Sequence, residues 1–417
     1  MIGDGMGFAQ VKAYRYFADD PATPEVDLLP FEPFLVGAVA TETIGPDLNP
    51  YAITESASSA SAYATGQDTA HLHLGMLPDG EVQANITEKA TRQGKAVGVV
   101  ATVEVSHATP AAFLAHNENR YNDAAIADQL FDLQWKGKPL ASVLMGGGLA
   151  ALQRKDRDLV AEFTAAGYVV VRNRSELLAN RNPRVLGLFA DHGMKKYWDK
   201  DPGTPSLAEM TTAALGALAQ NPEGFFLLVE GSQIDWAAHE MDVAGVVSEM
   251  QSFTEAVERV LEFAGGRGDT LVIITADHET GGLSLGINDI YAWNPLPLRG
   301  MKNTPEAMAV QFLSSDEALS EIVARSVSFS LTPEEVATLD AVERVPLPPP
   351  ELGVDGLDAY RSISKILDQR TLTAWSTVGH TGVDVPLYAT GPGSANFHGV
   401  LQNEELGQKL QEVFLSP

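Results

Sequence analysis

Residue types that bind metal ions cluster directly after the apolar run 224–229. Within ten residues the chain has Glu230, Asp235 and His239. A helix starting here would place Asp235 and His239, four residues apart, on one face. Carboxylate oxygen and imidazole nitrogen are common zinc ligands. The spacing therefore predicts a metal site; the alternative is an ordinary solvated helix that Asp235 caps, with His239 incidental.

Three further segments place metal-ligand types beside glycine. Asp4 lies in a glycine-rich turn (3–7), Asp277 and His278 follow an apolar strand, and His380 lies between two glycines. Small neighbours let the backbone approach a ligand closely. Adjacent Asp and His at a strand end can each bind a different ion of a close pair. Asp191-His192 has similar residues but lacks the glycine turn, so we expect no site there.

Ser56 is the candidate nucleophile. It stands near the start of a predicted helix of small residues that Gly66 ends. Unpaired N–H groups at a helix N-terminus favour an alkoxide and an anionic phosphoryl group. The alternative is that Ser56 is only the N-cap, a role worth ~1 kcal/mol.

Arg120 is the basic side chain best suited to grip a phosphate with two hydrogen bonds. The alternative is a surface arginine paired with a carboxylate. Thr109 follows another strand at the predicted functional edge. Four histidines lack comparable context and are predicted to be structural or exposed: His71, His73, His116 and His398.

Apolar, β-rich segments alternate with helical ones along the chain. This rhythm predicts an α/β fold with a mainly parallel central sheet and helices on both faces. The predicted strands are Phe34–Ala40, Ala96–Val103, Leu140–Met145, Tyr168–Val171, Phe225–Val229, Leu271–Thr275 and Pro386–Ala389. Ser206 and Glu209 form a capping box before one helix. Another runs from Val243 until Gly265-Gly266 ends it.

The rhythm changes between residues 283 and 372, where helix-like stretches and a proline run occur. We predict a catalytic domain formed by residues 1–282 and 373–417. Residues 283–372 would be an inserted cap, crown or interface region. A parallel strand normally has about five residues before such a turn. We therefore expect part of the first strand, and any export signal, to precede Met1.

Composition excludes several classes of function. The 417 residues are 45% hydrophobic and include 55 acidic and 28 basic residues, a formal charge of -27. Such a charge argues against nucleic acid or an anionic membrane as partner. An anionic substrate must be held by a local positive site. The chain has no cysteine, so disulfides and thiolate metal sites are excluded. No apolar stretch approaches the ~20 residues of a spanning helix.

Six motifs together resemble the alkaline phosphatase family, in order along the chain: IGDGMG, ESASSASAYATG, SHATPAA, VEGSQIDWAAH, TADHETGG and GHTG. The resemblance implies two zinc ions and one magnesium ion. The first zinc would be bound by Asp235, His239 and His380. The second would be bound by Asp4, Asp277 and His278, beside Ser56. Magnesium would be bound by Asp4, Thr109 and Glu230.

The resemblance also implies hydrolysis of phosphate monoesters through a phosphoserine on Ser56, with Arg120 holding the phosphate. It further implies a homodimer that is periplasmic or secreted. Glu55 stands where the family commonly has Asp, and His107 and Trp236 occupy variable positions that would tune phosphate retention. The alternatives are a phosphodiesterase or phosphotransferase of the same superfamily, and an inactive, truncated metal-binding protein.

Overall fold

The computed structural model describes residues 1–45, 49, 51–349, 354 and 356–415. Its strands are β1 (Ile2–Gly3), β2 (Leu35–Ala40), β3 (Glu42–Thr43), β4 (Ala52–Ile53), β5 (Ala96–Glu104), β6 (Gln134–Trp135), β7 (Lys138–Pro139), β8 (Val143–Gly147), β9 (Val169–Val171), β10 (Val185–Leu188), β11 (Phe225–Gly231), β12 (Val272–Ile274), β13 (Glu279–Thr280), β14 (Ser284–Leu285), β15 (Thr373–Ala374), β16 (His380–Thr381), β17 (Val385–Thr390) and β18 (Gly399–Gln402).

Helices account for much of the remaining described chain. They are α1 (Phe8–Ala18), α2 (Ser56–Thr65), α3 (Ile86–Arg92), α4 (Ala108–Ala112), α5 (Asp123–Asp132), α6 (Leu149–Leu152), α7 (Leu159–Ala165), α8 (Arg174–Ala179), α9 (Leu207–Leu218), α10 (Gln233–His239), α11 (Val243–Ala264), α12 (Pro305–Leu313), α13 (Leu319–Ser326), α14 (Pro333–Asp340), α15 (Asp358–Thr371) and α16 (Asn403–Leu415).

The central sheet is six-stranded and entirely parallel, in the order β1-β11-β5-β8-β10-β9. This confirms the predicted α/β fold. Parallel strands are covered on both faces, which explains continuous apolar runs such as β5 and the complete burial of β8. Their carboxyl ends share one edge, where open α/β sheets hold their ligands. Asp4 follows β1, and Glu230 lies at the end of β11.

A second sheet contains three of the predicted strands, at β2, β12 and β17, in the order β12-β17-β2-β18. Strand β17 pairs antiparallel with both of its neighbours, β12 and β2. These segments are therefore strands but do not belong to the parallel sheet. An apolar run shows that a strand is buried without showing the direction of its neighbours. The two sheets meet where the Gly3 amide donates to the Thr275 carbonyl at 2.9 Å. Asp4 and Asp277, each beyond one of these residues, therefore emerge side by side.

Both clearly predicted helices are confirmed. Ser206 and Glu209 form the capping box of α9. The 22-residue α11 ends at Ala264, directly before Gly265, and the Asp242 side chain caps its start. The region 283–372 contains α12 to α15, and α15 packs against both α12 and α11. Its assignment as an inserted cap or interface remains a prediction. Within the described residues, no helix is both long and apolar enough to cross a membrane.

Helix α16 packs closely on α2, the helix that begins with Ser56, at Gly407. A Cβ atom on Gly407 would lie 2.4 Å from the Ala62 carbonyl oxygen. We predict that Gly407→Ala lowers the free energy of unfolding by about 1–3 kcal/mol, because the clash is with backbone that cannot step aside. Gly216→Ala is the matched control, since this helical glycine is exposed and a Cβ atom added there would meet open space. It should raise stability by up to about 1 kcal/mol. Urea denaturation measures whether the free energy of unfolding falls in Gly407→Ala and rises in Gly216→Ala.

Candidate active site

The first cluster of predicted ligands joins α10 to β16. Asp235 and His239 lie one turn apart on α10, with the His239 Nε2 atom 3.3 Å from Asp235 Oδ2. His380, from β16, places its Nε2 atom 3.2 Å from His239 Nε2 and 3.6 Å from Asp235 Oδ1. These three side chains have the donor set of a zinc site. The structure therefore brings together residues separated by 141 positions in the chain.

Backbone carbonyls fix which nitrogen of each histidine is free. His239 Nδ1 lies 2.5 Å from the Val378 carbonyl, and His380 Nδ1 lies 2.9 Å from the Thr54 carbonyl. A carbonyl only accepts, so each Nδ1 atom must donate its hydrogen. In a neutral imidazole, Nε2 then presents a lone pair. Two lone pairs 3.2 Å apart need a cation between them, either a metal ion or a proton.

Without a metal ion, a proton on His239 can supply this positive charge. Burial by itself would lower the pKa of His239, but the hydrogen bond and charge of Asp235 raise it to about 9. In turn, burial favours neutral Asp235, yet contact with His239 holds the Asp235 pKa below its usual range. A metal ion in the same position would displace that proton, as metal binding to histidine generally does.

The second cluster lies at the junction of the two sheets. His278 Nε2 is 3.4 Å from both Asp4 Oδ1 and Asp277 Oδ2, and 3.2 Å from the Ser56 hydroxyl oxygen. All four residues are buried. Burial, then the charge of His380, holds the pKa of His278 well below its usual range, so its imidazole is neutral. A neutral imidazole between carboxylates, beside a hydroxyl, suits a metal ion that contacts the nucleophile.

Thr280 joins the two clusters. Its hydroxyl donates to Asp235 Oδ1 at 2.5 Å and lies 3.2 Å from His278 Nδ1. A hydroxyl has a single hydrogen. Since that hydrogen goes to Asp235, the His278 Nδ1–H group donates to Thr280, which again leaves His278 Nε2 free. Asp235 also groups with Asp4 and His278 as possible ligands, so it borders both clusters.

The predicted third site has the strongest electrostatic signature. Asp4, Thr109 and Glu230 are fully buried, and no described residue forms a hydrogen bond with their side-chain oxygens. Burial, then Asp277 and Asp235, raises the pKa of Asp4 well above its ordinary value. Burial also raises the pKa of Glu230 to about 8, although the nearby hydroxyls of Ser232 and Thr109 oppose this. To stay ionised near neutral pH, buried carboxylates without hydrogen bonds need a cation beside them.

Glu55, rather than Ser56, caps α2. Its carboxylate accepts from the amides of Ala57 at 2.8 Å and Ser58 at 2.9 Å. Ser56 is thus the first helical residue, and the interpretation of Ser56 as a cap is wrong. The prediction of free N–H groups beside Ser56 also needs correction, because Glu55 already occupies those of Ala57 and Ser58. A phosphoryl group at Ser56 must depend on other positive groups.

Arg120 supplies one such group and is held from two sides. Its guanidinium donates to Glu55 Oε2 at 2.6 Å, and its second terminal nitrogen lies 3.2 Å from His107 Nε2. Burial opposes ionisation of Glu55, but Arg120 lowers the pKa of Glu55 below its ordinary value. Burial and the charge of Arg120 lower the pKa of His107 to about 3. Neutral His107 can therefore accept from Arg120, which fixes the orientation of the guanidinium.

Trp236 packs between His107 and the loop after β10. Its ring meets His107 edge-on, with centroids 5.9 Å apart. Gly193 leaves room for the ring, because a Cβ there would lie 2.7 Å from a Trp236 ring atom. The predicted tuning residues thus touch each other, and His107 links Trp236 to Arg120.

His116 and His192 agree with their sequence context. His116 is held by the Gly75 carbonyl at 2.9 Å and by Glu88 at 3.1 Å, which is a structural role. His192 lies 3.8 Å from Glu104 and belongs to neither ligand group found among the described residues. Two residues of the site, Glu279 and Thr280, were not predicted from the sequence, although both stand in the motif TADHETGG. Their contacts join distant segments, and the only available signal was their position beside His278.

The sequence model of the alkaline phosphatase family matches residues 1–415. The chain belongs to the alkaline phosphatase family. It is accordingly an enzyme of the phosphomonoester hydrolase class. Alkaline phosphatase 4 of Bacillus subtilis is 42% identical over 406 residues, covering 97% of this chain and 86% of the relative.

Two solved alkaline phosphatases illustrate the shared fold. A cold-active alkaline phosphatase from a psychrophilic Shewanella species is 36% identical, with a TM-score of 0.88 over 100% of this chain and 98% of that one. A mutant alkaline phosphatase of the Antarctic bacterium TAB5, solved with magnesium in its M3 site, is 26% identical. Its TM-score is 0.70, covering 100% of this chain and 96% of that one.

The double anchoring of Arg120 generates a prediction. Arg120→Lys keeps the charge but cannot contact Glu55, His107 and phosphate in one plane. We expect KM for p-nitrophenyl phosphate, and the inhibition constant for inorganic phosphate, to rise about tenfold, the equivalent of one charged hydrogen bond. Arg15→Lys is the matched control, since Arg15 forms an ion pair with Glu32 elsewhere. Equal constants in both variants would contradict a phosphate-binding role for Arg120.

Proposed function

We propose that this protein hydrolyses phosphate monoesters through a phosphoserine on Ser56, using two zinc ions and one magnesium ion. One observation carries the proposal. The Ser56 hydroxyl lies 3.2 Å from His278 Nε2, in a buried cluster where both Asp4 oxygens and Asp277 Oδ2 have no hydrogen-bond partner among the described residues. Such a cluster is poorly suited to a role in stability alone, because uncompensated buried charge destabilises a fold.

The donor sets support the choice of ions. Asp235, His239 and His380 offer two nitrogens and a carboxylate, and Asp4, Asp277 and His278 offer one nitrogen and two carboxylates, both suited to zinc. Asp4, Thr109 and Glu230 offer only oxygen, which suits magnesium. Magnesium in the M3 site of the TAB5 mutant supports the third assignment. Zinc bound beside Ser56 would polarise the phosphoryl oxygens and stabilise the alkoxide, and zinc at the other site would stabilise the leaving oxygen.

The residues then have separate tasks. Ser56, at the first position of α2, attacks phosphorus as the bond to the ester oxygen breaks, and a water molecule later breaks the bond between phosphorus and Ser56. Arg120, held by Glu55 and His107, orients the non-bridging oxygens through both transfers. His107 and Trp236 tune how firmly the product phosphate is held.

The family resemblance also motivates two expectations about the whole protein. We infer a homodimer, for which light scattering on the purified protein is the direct measurement. We also infer a periplasmic or secreted location, for which fractionation of the source cells is the corresponding test. Small phosphate monoesters are the proposed substrates, and the formal charge of -27 disfavours nucleic acid.

The role of Ser56 yields a direct test. Ser56→Ala should lower kcat for p-nitrophenyl phosphate by about 10³-fold or more while zinc content stays unchanged, because only the attacking oxygen is removed. Ser61→Ala, on the same helix but bonded to the His73 carbonyl and the Gly75 amide, should retain activity. Unchanged turnover in Ser56→Ala would eliminate Ser56 as nucleophile. Rates of the wild type on a monoester, a diester and an alcohol acceptor distinguish the hydrolase from a phosphodiesterase or a phosphotransferase.

Metal removal provides a second test. Elemental analysis should find two zinc and one magnesium per chain, and exhaustive chelation should abolish turnover until zinc is restored. Glu230→Gln should lose magnesium selectively, because its carboxylate belongs to the oxygen-only set. Two bound zinc ions without turnover would support the inert metal-binding alternative. Full turnover of metal-free protein would exclude the proposed mechanism.

A further inference from the structure

A buried carboxylate outside all three ligand sets, Glu279, lies between the segments that supply them. Its residue is only 4% exposed. Oε1 accepts from the Gln10 side chain at 2.8 Å and the Leu283 amide at 3.3 Å. Oε2 accepts from the Thr381 hydroxyl and, at 3.2 Å, from the Gly282 amide. All four donors are neutral, so this carboxylate is stabilised by hydrogen bonds.

These donors come from segments that carry ligands of both zinc sites. Gln10 lies on α1, directly after the turn containing Asp4, and Thr381 follows His380. Glu279 itself follows His278. The fit to the Asp4 turn is tight, since a Cβ on Gly7 would lie 2.3 Å from the Glu279 Cγ atom. One carboxylate thus contacts three chain segments that meet only in the folded protein.

The backbone contact between two of these segments is very short. Strands β13 and β16 pair through two residues each, Glu279 with Thr381 and Thr280 with His380. An isolated ribbon of this length is unstable in water. Yet the His278 and His380 rings are stacked with centroids 3.6 Å apart, so their separation is closely set. Side-chain hydrogen bonds across the ribbon must therefore add the stability that so short a backbone pairing does not provide.

We propose that Glu279 is a positioning residue, which fixes Asp4, His278 and His380 relative to one another and so sets the metal affinity of both zinc sites. The inference rests on the proposed zinc sites. Residues that orient metal ligands typically change metal affinity by about 10–100-fold when they are mutated. Glu279 acts through backbone placement, because its bonds reach the neighbours of the ligands rather than the ligands themselves.

Glu279→Gln is the main test, since it preserves shape but replaces one acceptor oxygen with an NH₂ group. Two of the four donors would then face a donor, and their segments would separate. We expect the apparent zinc dissociation constant, measured by competition with a chelator, to rise about 10–100-fold. Zinc in excess should restore much of the turnover, since Ser56 and Arg120 are intact.

Glu249→Gln is the matched control for burial. Glu249 is 2% exposed, lies on α11 and accepts from the Tyr197 amide at 2.6 Å. Its replacement should lower the thermal midpoint without changing zinc affinity. Thr381→Val is the milder second variant, because it removes one donor and retains the carboxylate. It should weaken mainly the zinc bound by His380, so that one of two zinc ions leaves early.

The outcomes separate the two proposals. Wild type without bound zinc would overturn the proposed function itself. Suppose that the wild type binds two zinc ions, but that Glu279→Gln and Thr381→Val both have the same zinc affinity as Glu249→Gln. That result would overturn the positioning role alone. Weakened zinc binding in Glu279→Gln at a temperature where circular dichroism shows it folded supports the proposal.

Discussion

Asp4 and Glu230 are fully buried, and no described residue forms a hydrogen bond with their four carboxylate oxygens. Asp277 adds another buried carboxylate, whose pKa burial and Asp235 raise to about 7. Removing such groups from water costs several kcal/mol each unless positive charge compensates. The fold can hold them together only because the surrounding strands and helices are stabilised by an extensive apolar core. The buried carboxylates thus destabilise the fold, and the rest of the molecule must offset this unfavourable free energy.

The architecture explains how so much charge reaches one place. Parallel strands end at the same edge, and the bridge between Gly3 and Thr275 brings the second sheet to that edge as well. Backbone carbonyls then orient His239 and His380, so that their Nε2 atoms converge. Arg120, by contrast, is paired with Glu55, and its charge offsets only part of the rise in the pKa of Asp4. The ions proposed for this site would supply the positive charge that the cluster needs when its carboxylates are ionised.

Local patterns made part of this predictable from the sequence. The four-residue spacing of Asp235 and His239 places them on one helical face, and the apolar run before Asp277 marks a strand end. His380 was different, because its flanking glycines indicate a loop without naming a partner, and only the family resemblance placed it in the first cluster. The cap of α2 was also beyond reach. Serine is a preferred N-cap residue and glutamate is not, and Arg120, which orients Glu55, is 65 residues away. The roles of Glu279 and Thr280 likewise depend on contacts across the folded molecule.

The distance along the chain between His239 and His380 has a consequence for folding. A metal ion held by both would close a loop of 141 residues, in a chain that has no cysteine with which to form a disulfide. Cross-links that close long loops remove the most entropy from the unfolded state. The ions proposed for catalysis would therefore also act as reversible cross-links. Because His380 is synthesised 141 residues after His239, this cross-link can close only after the whole segment between them has been made.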